Sequence, residues 1–319
     1  MGKHETSTQP AMERMQYPDD EIDLRVLLGM LWHGKWIILL TTIAFAGAAV
    51  AYALSKPNIY QASVLLAPSQ REGNSGGIGG QLGGLASLAG INLGGGGSNK
   101  TVLAKEVLQS RAFLTDFIHR YGLSVPLMAV KGWNMESESW KIDREIYNPE
   151  TNTWLDDEEG NSQKPTNWDM VNKFKQEHLS VSENTETGMV TLKINSQSPK
   201  VAKEWAKKLV FDINEYMRKE DVREAEARIA FLEDKLSETP IAGMQQVFYQ
   251  LIESETRTVM LANAQDEYVF KTVDPAVVPQ EKSEPKRALI AILGTLLGGM
   301  IGIFIVFILA FVRSARREN

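Results

Sequence analysis

Ala288–Val312 reads ALIAILGTLLGGMIGIFIVFILAFV, twenty-five residues without a charge between Arg287 and Arg313. At about 1.5 Å per residue, a helix of this length exceeds the roughly 30 Å hydrocarbon core of a bilayer. A core helix of a water-soluble protein seldom stays apolar on every face for so long, so the stretch is expected to cross a membrane. Trp36–Ser55, WIILLTTIAFAGAAVAYALS, reads the same way, with twenty uncharged residues between Lys35 and Lys56. The mean hydropathy of -0.21 averages these two runs with a long polar remainder.

Ala51-Tyr52-Ala53 has the small-x-small form of a signal cleavage site, but the first span is expected to be retained. The polar segment before it includes Asp19, Asp20, Glu21 and Asp23, too long and too acidic for a signal's short basic start. Flanking charge decides orientation poorly. Arg25 and Lys35 oppose Lys56 and Arg71 across the first span, and Lys282, Lys286 and Arg287 oppose Arg313, Arg316 and Arg317 across the second. The absence of cysteine fits exposure of the middle segment to an oxidising compartment.

With 319 residues and 43% apolar content, the chain can bury a sizeable core. Basic and acidic residues cancel in the two tails, so the whole net charge of -6 falls between the spans. Acids and bases are interspersed there, and a nucleic-acid partner is excluded.

Ile22, Val26, Leu27, Met30 and Leu31 recur at helical spacing before the first span. They fit either a short helix on the membrane surface or an extension of the span. Tyr60–Leu66 reads as a strand stopped by Pro68. A glycine-rich tract over 73–97, punctuated by Ile78, Leu82, Leu85, Leu88, Ile91 and Leu93, fits a packed loop or a flexible linker. Val102 to Ile118 predicts one helix ending near Gly122, and 129–166 reads as irregular around Trp133, Trp140 and Trp154, with a hairpin turn at Tyr147–Trp154. A short helix over 168–178 and strands at Leu179–Ser182 and Met189–Ile194 complete an expected small α/β layer.

Ser198-Pro199 starts a helix that meets no breaker before about Ser237 and would extend nearly 60 Å. Such a helix exceeds the needs of a compact domain, so Trp205, Leu209, Ile213 and Leu232 are expected to contact partner subunits. Thr239–Gly243 breaks it. A second helix from Met244 to Ala264 would fold back as a hairpin, and Tyr268–Val273 reads as a returning strand.

No catalytic constellation emerges. Gly94-Gly95-Gly96-Gly97-Ser98-Asn99-Lys100-Thr101 misses a phosphate-binding loop by one residue, with Asn99 where a glycine should stand and no strand before it. His4, His33, His119 and His178 are scattered, and Asp156–Glu159 reads as a solvated acidic turn; no metal and no cofactor are expected. The informative motif is in the second span, where Gly294, Gly298 and Gly302 share one helical face beside Gly299 and let another helix approach closely. Gly47 and Ala51, with Ala44 and Ala48, give the first span a similar face, and the two spans are expected to pack together within or between protomers.

Ile22-Asp23-Leu24 before Gly34-Lys35-Trp36, Tyr60-Gln61-Ala62, Leu261-Ala262-Asn263, Glu267–Phe270 and Val273-Asp274-Pro275-Ala276 together resemble the Wzz-type chain-length determinants, class 1 polysaccharide co-polymerases. Pro275, Pro279 and Pro285 leading into Gly294, Gly298 and Gly299 carry most of the likeness. The resemblance implies a protein scaffold without a reaction of its own, assembled from identical protomers into a closed ring of about eight. Its implied partners are the membrane polymerase of O-antigen or a related surface glycan and the growing lipid-linked polysaccharide. The short tail after Val312 leads us to expect no attached tyrosine-kinase module. The glycine-rich tract and the insert at 129–166 depart from shorter members.

The expected architecture is an α+β membrane protein of the inner membrane, with two transmembrane helices flanking a periplasmic domain. That domain has a mixed α/β membrane-proximal base and a long protruding helical hairpin. The expected boundaries are a cytoplasmic tail 1–35, spans 36–55 and 288–312, an α/β base 56–198, helices 199–265, a return strand and proline-rich segment 266–287, and a cytoplasmic tail 313–319. A two-span periplasmic receptor for a small ligand is the competing reading, although it lacks an evident output domain.

Overall fold

The computed structural model describes residues 24–69 and 96–315. In chain order its elements begin with α1 (Leu24–His33), α2 (Lys35–Ser55), β1 (Tyr60–Pro68), α3 (Gly96–Leu108), α4 (Arg111–Arg120) and α5 (Ser124–Met128). There follow β2 (Val130–Asn134), β3 (Ser139–Ile142), β4 (Tyr147–Asn148), β5 (Thr153–Trp154), α6 (Asn167–Lys173), a π-helical turn (Phe174–His178), β6 (Leu179–Glu183) and β7 (Val190–Ser196). The chain closes with α7 (Pro199–Glu238), α8 (Ala242–Asn263), β8 (Phe270–Asp274) and α9 (Arg287–Ala315). It divides into a unit made from both ends, Met1–Ser55 with Lys286–Asn319, and a second unit, Lys56–Pro285.

In the first unit α2 and α9 are, among the described residues, the two helices long and apolar enough to cross a membrane, over Lys35–Ser55 and Arg287–Val312. Gly34 separates α1 from α2, donating to the Met30 carbonyl at 3.0 Å while its own carbonyl accepts from Ile37 at 2.9 Å. Glycine is required because a Cβ there would lie 3.0 Å from Cβ of Val306 on α9 and closer still to its methyl groups. Trp32 and Trp36 on either side of Gly34 are exposed, and the Lys35 ammonium sits 4.7 Å from the Trp32 ring centroid. Exposed tryptophan beside lysine suits the bilayer interface.

The second unit is built on one four-stranded sheet, ordered β6-β7-β1-β8 and antiparallel throughout. Period-two alternation decides its buried face: Ala62, Val64 and Leu66 of β1 and Val190, Leu192 and Ile194 of β7 point into the core. Against them pack Phe113, Leu114, Phe117 and Ile118 of α4, Phe174, and the first half of α7. Ser198 caps α7 by accepting from the Val201 amide, and Pro199 fills the first helical position, where no amide hydrogen is needed. The helix runs 40 residues, nearly 60 Å at about 1.5 Å each.

Beyond Met217 the only fully buried α7 residue is Ala225. Arg228 of α7 pairs with Glu255 of α8 at 3.0 Å, and the two helices join through Thr239 to Ile241. β8 then returns to the sheet beside β1.

Two expectations change. The helix foreseen from Val102 to Gly122 is two helices, because the Ser110 hydroxyl accepts from the Phe113 amide and starts α4 afresh. The segment read as irregular over 129–166 holds two hairpins, β2–β3 and β4–β5. Most of the 73–97 tract lies outside the described residues.

Candidate functional site

The first candidate site is the seam between α2 and α9. The helices run antiparallel, so successive glycines of α9 meet successive turns of α2 in reverse order. A Cβ on Gly298 would stand 2.7 Å from the Phe45 Cβ, 3.0 Å from the Thr42 Cα and 3.1 Å from the Thr41 carbonyl. One on Gly302 would stand 2.8 Å from the Ile38 Cα, and Gly294 is pressed against the side chain of Ala49. Gly299, at the edge, is 3.7 Å from the Thr42 hydroxyl by the same measure. Thr41 and Thr42 direct their hydroxyls to their own helix, to the Ile37 and Ile38 carbonyls at 2.7–3.0 Å, so close approach strands no polar group. At one end of the seam Arg287 Nε donates to the Ala53 carbonyl at 3.1 Å.

Gly47 and Ala51 are not in this seam. Nothing lies within 4 Å of a Cβ built on Gly47, and Ala51 is exposed. The packed face of α2 carries Ile38, Thr41, Thr42, Phe45, Ala49 and Ala53, and Gly47 lies two positions, about 200°, from Phe45 and Ala49.

The α7–α8 hairpin is the second candidate. Trp205, Leu209 and Ile213, expected at a subunit contact, are buried in the unit's own core at 4%, 0% and 0% exposure. The sheet needs a cover, and the stripe on the first half of α7 supplies it. Leu232, farther along, is half-buried. The apolar residues that α7 and α8 leave exposed are others: Phe211, Phe231, Met244, Val247, Tyr249 and Met260 among them.

Two polar clusters fix α7 on the core. Asp212 is buried and accepts from Arg120 Nη1 at 3.2 Å and the Tyr121 hydroxyl at 3.0 Å; burial raises its pKa against the pull of those donors. Asn214 uses both ends of its amide. Its oxygen accepts from the Val269 and Phe270 amides at 2.9 Å each, and its nitrogen donates to the Val210 and Phe270 carbonyls at 3.2 and 3.1 Å. Past β8, Pro275, Pro279 and Pro285 fall in a segment without regular structure; proline cannot supply the amides a strand ladder needs. Near its end Ile59 and Glu284 form a lone antiparallel bridge.

Sequence reading missed a recurrent turn. Asn134-Met135-Glu136-Ser137-Glu138, Asn148-Pro149-Glu150-Thr151-Asn152 and Asn184-Thr185-Glu186-Thr187-Gly188 share the pattern Asn-x-Glu-Ser/Thr followed by a residue at positive φ. In each, the Asn oxygen accepts from the amides two and three residues on, at 2.9–3.4 Å. In the first two, aromatics pair across the strands: Trp133 with Trp140 at 4.9 Å and Tyr147 with Trp154 at 5.2 Å, both edge-on. Glu138 of the first also meets Lys200 near the start of α7 at 2.6 Å.

His178 is one of the four scattered histidines. Its Nδ1 lies 2.7 Å from the Asn195 carbonyl, and its ring stacks on Phe174 and meets Trp205 edge-on. Burial lowers its pKa from the ordinary 6.5. The unfolded chain therefore takes up this proton more readily than the folded one. Stability is intact above the ordinary imidazole range and falls as the pH drops through 6.5 toward the depressed value. Denaturation midpoints taken between about pH 7.5 and about pH 5.5 should decline, and His178→Gln should flatten that decline; an unchanged slope would remove His178 from the account.

Among the described residues no group of three or more His, Asp or Glu side chains converges as a metal site. From Gly96 onward the phosphate-loop lookalike is helical, and Lys100 pairs with Asp221 at 2.5 Å.

Comparison with known proteins matches two family descriptions: "Chain length determinant protein" (Wzz) over residues 20–120 and "G-rich domain on putative tyrosine kinase" (GNVR) over residues 241–311. The chain is also similar to the tyrosine-protein kinase etk of Escherichia coli K12 and of strains O127:H6 and O157:H7, each 42% identical over 57 residues. That stretch is 18% of this chain and 8% of each kinase's length. A solved structure, a full-length bacterial polysaccharide co-polymerase, aligns over 94% of this chain and 99% of its own, with 13% identity and a TM-score of 0.40.

Proposed function

We propose that this chain is a polysaccharide chain-length determinant of the Wzz type, working as an oligomeric inner-membrane scaffold. It sets the modal length of O-antigen or a related surface glycan by acting on the membrane polymerase that extends the chain. Both termini lie in the cytoplasm, and the unit between the spans lies in the periplasm. The match to the kinases covers too little of them to bring kinase chemistry into this reading.

The observation that carries the proposal is the pairing of α2 with α9 through a glycine seam, with the chain-length match over the first span and the glycine-rich-domain match over the second. Two membrane helices that pack on each other from opposite ends of the chain support a hairpin topology. Such a topology holds the unit between them on one side of the bilayer. The exposed apolar side chains of the α7–α8 hairpin supply an area for protomer contacts.

Deleting the gene should convert a clustered glycan ladder on a gel into a random, short-weighted distribution. An unchanged ladder, together with thermal stabilisation of the purified chain by a small ligand, would favour the two-span receptor instead. Sidedness has its own test. Protease added to intact spheroplasts should cleave the middle unit; protection until the cells are opened would reject the periplasmic placement.

A further inference from the structure

Against the sheet of the second unit lies a cleft of about 80 Å³ whose lining includes Trp140, Lys173, Glu177, His178 and Gln197. At about 10–15 Å³ for each water centre, this is room for several waters, comparable to one sugar ring. Distant parts of the chain build it. Trp140 comes from the β2–β3 hairpin, Lys173, Glu177 and His178 from the end of α6 and its π-helical turn, and Gln197 from just after β7. A π-helical turn is a rare departure from α geometry that recurs at functional sites.

We infer that this cleft is a saccharide subsite, taking one pyranose ring of a polysaccharide with its apolar face on the Trp140 indole and its hydroxyls on the surrounding polar groups. The inference rests on the reading of the chain as a partner of polysaccharide synthesis. The lining has the chemistry that hydroxyls need. A carbonyl can only accept, so the contact of His178 Nδ1 with the Asn195 carbonyl puts the imidazole proton on Nδ1 and leaves Nε2 an acceptor. Burial keeps that ring neutral near pH 7. Gln197 Oε1 is buried without a hydrogen-bond partner among the described residues, and Glu177 adds an exposed carboxylate. Lys173 at the cleft balances Glu177, so a neutral sugar is as acceptable as a charged one. An indole wall beside several acceptors suits a ligand with one apolar face and a donor-rich rim, and a pyranose has both.

The test uses the full chain in lipid nanodiscs, with oligosaccharide released by mild acid from the producing strain's own surface glycan as the probe. Saturation-transfer NMR and titration calorimetry should show binding in the millimolar range, a free energy of about -4 kcal/mol. Glu177→Gln and Trp140→Leu should each weaken it at least about five-fold. Trp168→Leu, an exposed tryptophan outside the cleft, should leave it unchanged. Thermal melting of each variant separates lost binding from lost folding, and Glu177, being exposed, is the variant least able to disturb the fold.

No binding by the unaltered chain, or binding that survives both cleft variants, overturns the subsite. If the gene deletion still randomises the ladder in that case, the chain-length reading stands without it. Binding that depends on the cleft in a chain whose deletion leaves the ladder unchanged retains the subsite and rejects the scaffold.

Discussion

Gly298→Leu should abolish modal control of glycan length while the unit between the spans folds normally. The glycine lies in the middle of the seam between α9 and α2, between Gly294 and Gly302. A single added carbon would fall 2.7 Å from the Phe45 Cβ and 3.1 Å from the Thr41 carbonyl, and the latter is backbone that cannot swing aside. A leucine must therefore drive the helices apart, at a cost of about 1–3 kcal/mol for overpacking plus the loss of contacts along the seam. Because Gly294 and Gly302 share the same face, separation at the middle unseats both neighbours. Gly47→Leu is the matched control. It adds the same side chain to a membrane helix where nothing lies within 4 Å, so within one protomer it should be tolerated. A glycan gel of strains carrying each variant at equal protein level gives the answer. A normal ladder from Gly298→Leu would reject an essential seam, and a disturbed ladder from Gly47→Leu would place a second packing surface on the opposite face of α2.

Asn214→Leu should cost the second unit about 3 kcal/mol or more. The substitution strips partners from two backbone amides, Val269 and Phe270, and from the Phe270 carbonyl, all in a buried place. Each unsatisfied buried group costs about 1–3 kcal/mol, against a total stability of about 5–15 kcal/mol for a typical domain. Opposite Phe270 on β1 stands Pro68, which has no amide hydrogen to offer in compensation. The denaturation midpoint should fall markedly, and hydrogen exchange at Val269 and Phe270 should accelerate before that of β1 and β7. Unaltered exchange there would show that β8 is held by its neighbours alone. Asn214→Asp is a second probe: it keeps the acceptor, loses the donor to Phe270 and buries a charge, so it should also destabilise, increasingly as the carboxyl ionises.

Much of this architecture was legible in the residues. Ser198-Pro199 announces the start of α7, and the absence of a breaker before Thr239 announces its length. Tyr147–Trp154 announces its hairpin, yet the same turn chemistry at Asn134 and Asn184 went unread, although the pattern Asn-x-Glu-Ser/Thr recurs in plain view. The split between α3 and α4 could also have been found, since Ser110 stands three residues before Phe113 as a capping serine should. These are local signals. Each depends on groups a few residues apart, and a few residues of sequence contain them.

Hydrophobic length and periodicity by themselves determined that two helices can span a bilayer, that Gly294, Gly298 and Gly302 share a face, and that a long helix follows the last sheet strand of the first half. They left open which of two eligible surfaces is used. Trp205, Leu209 and Ile213 could have faced a partner; folding turned them onto the sheet because β1 and β7 present an apolar face that must be covered. The expected close approach of α2 was the small-residue face of Gly47 and Ala51 with Ala44 and Ala48, and the seam formed on the face of Ala49 instead. His178 became a half-buried, neutral acceptor only when Asn195, Phe174 and Trp205 closed around it. Periodicity is written by neighbours in the chain. The choice among faces is made by contacts between residues far apart in it, and those exist only once the chain is folded.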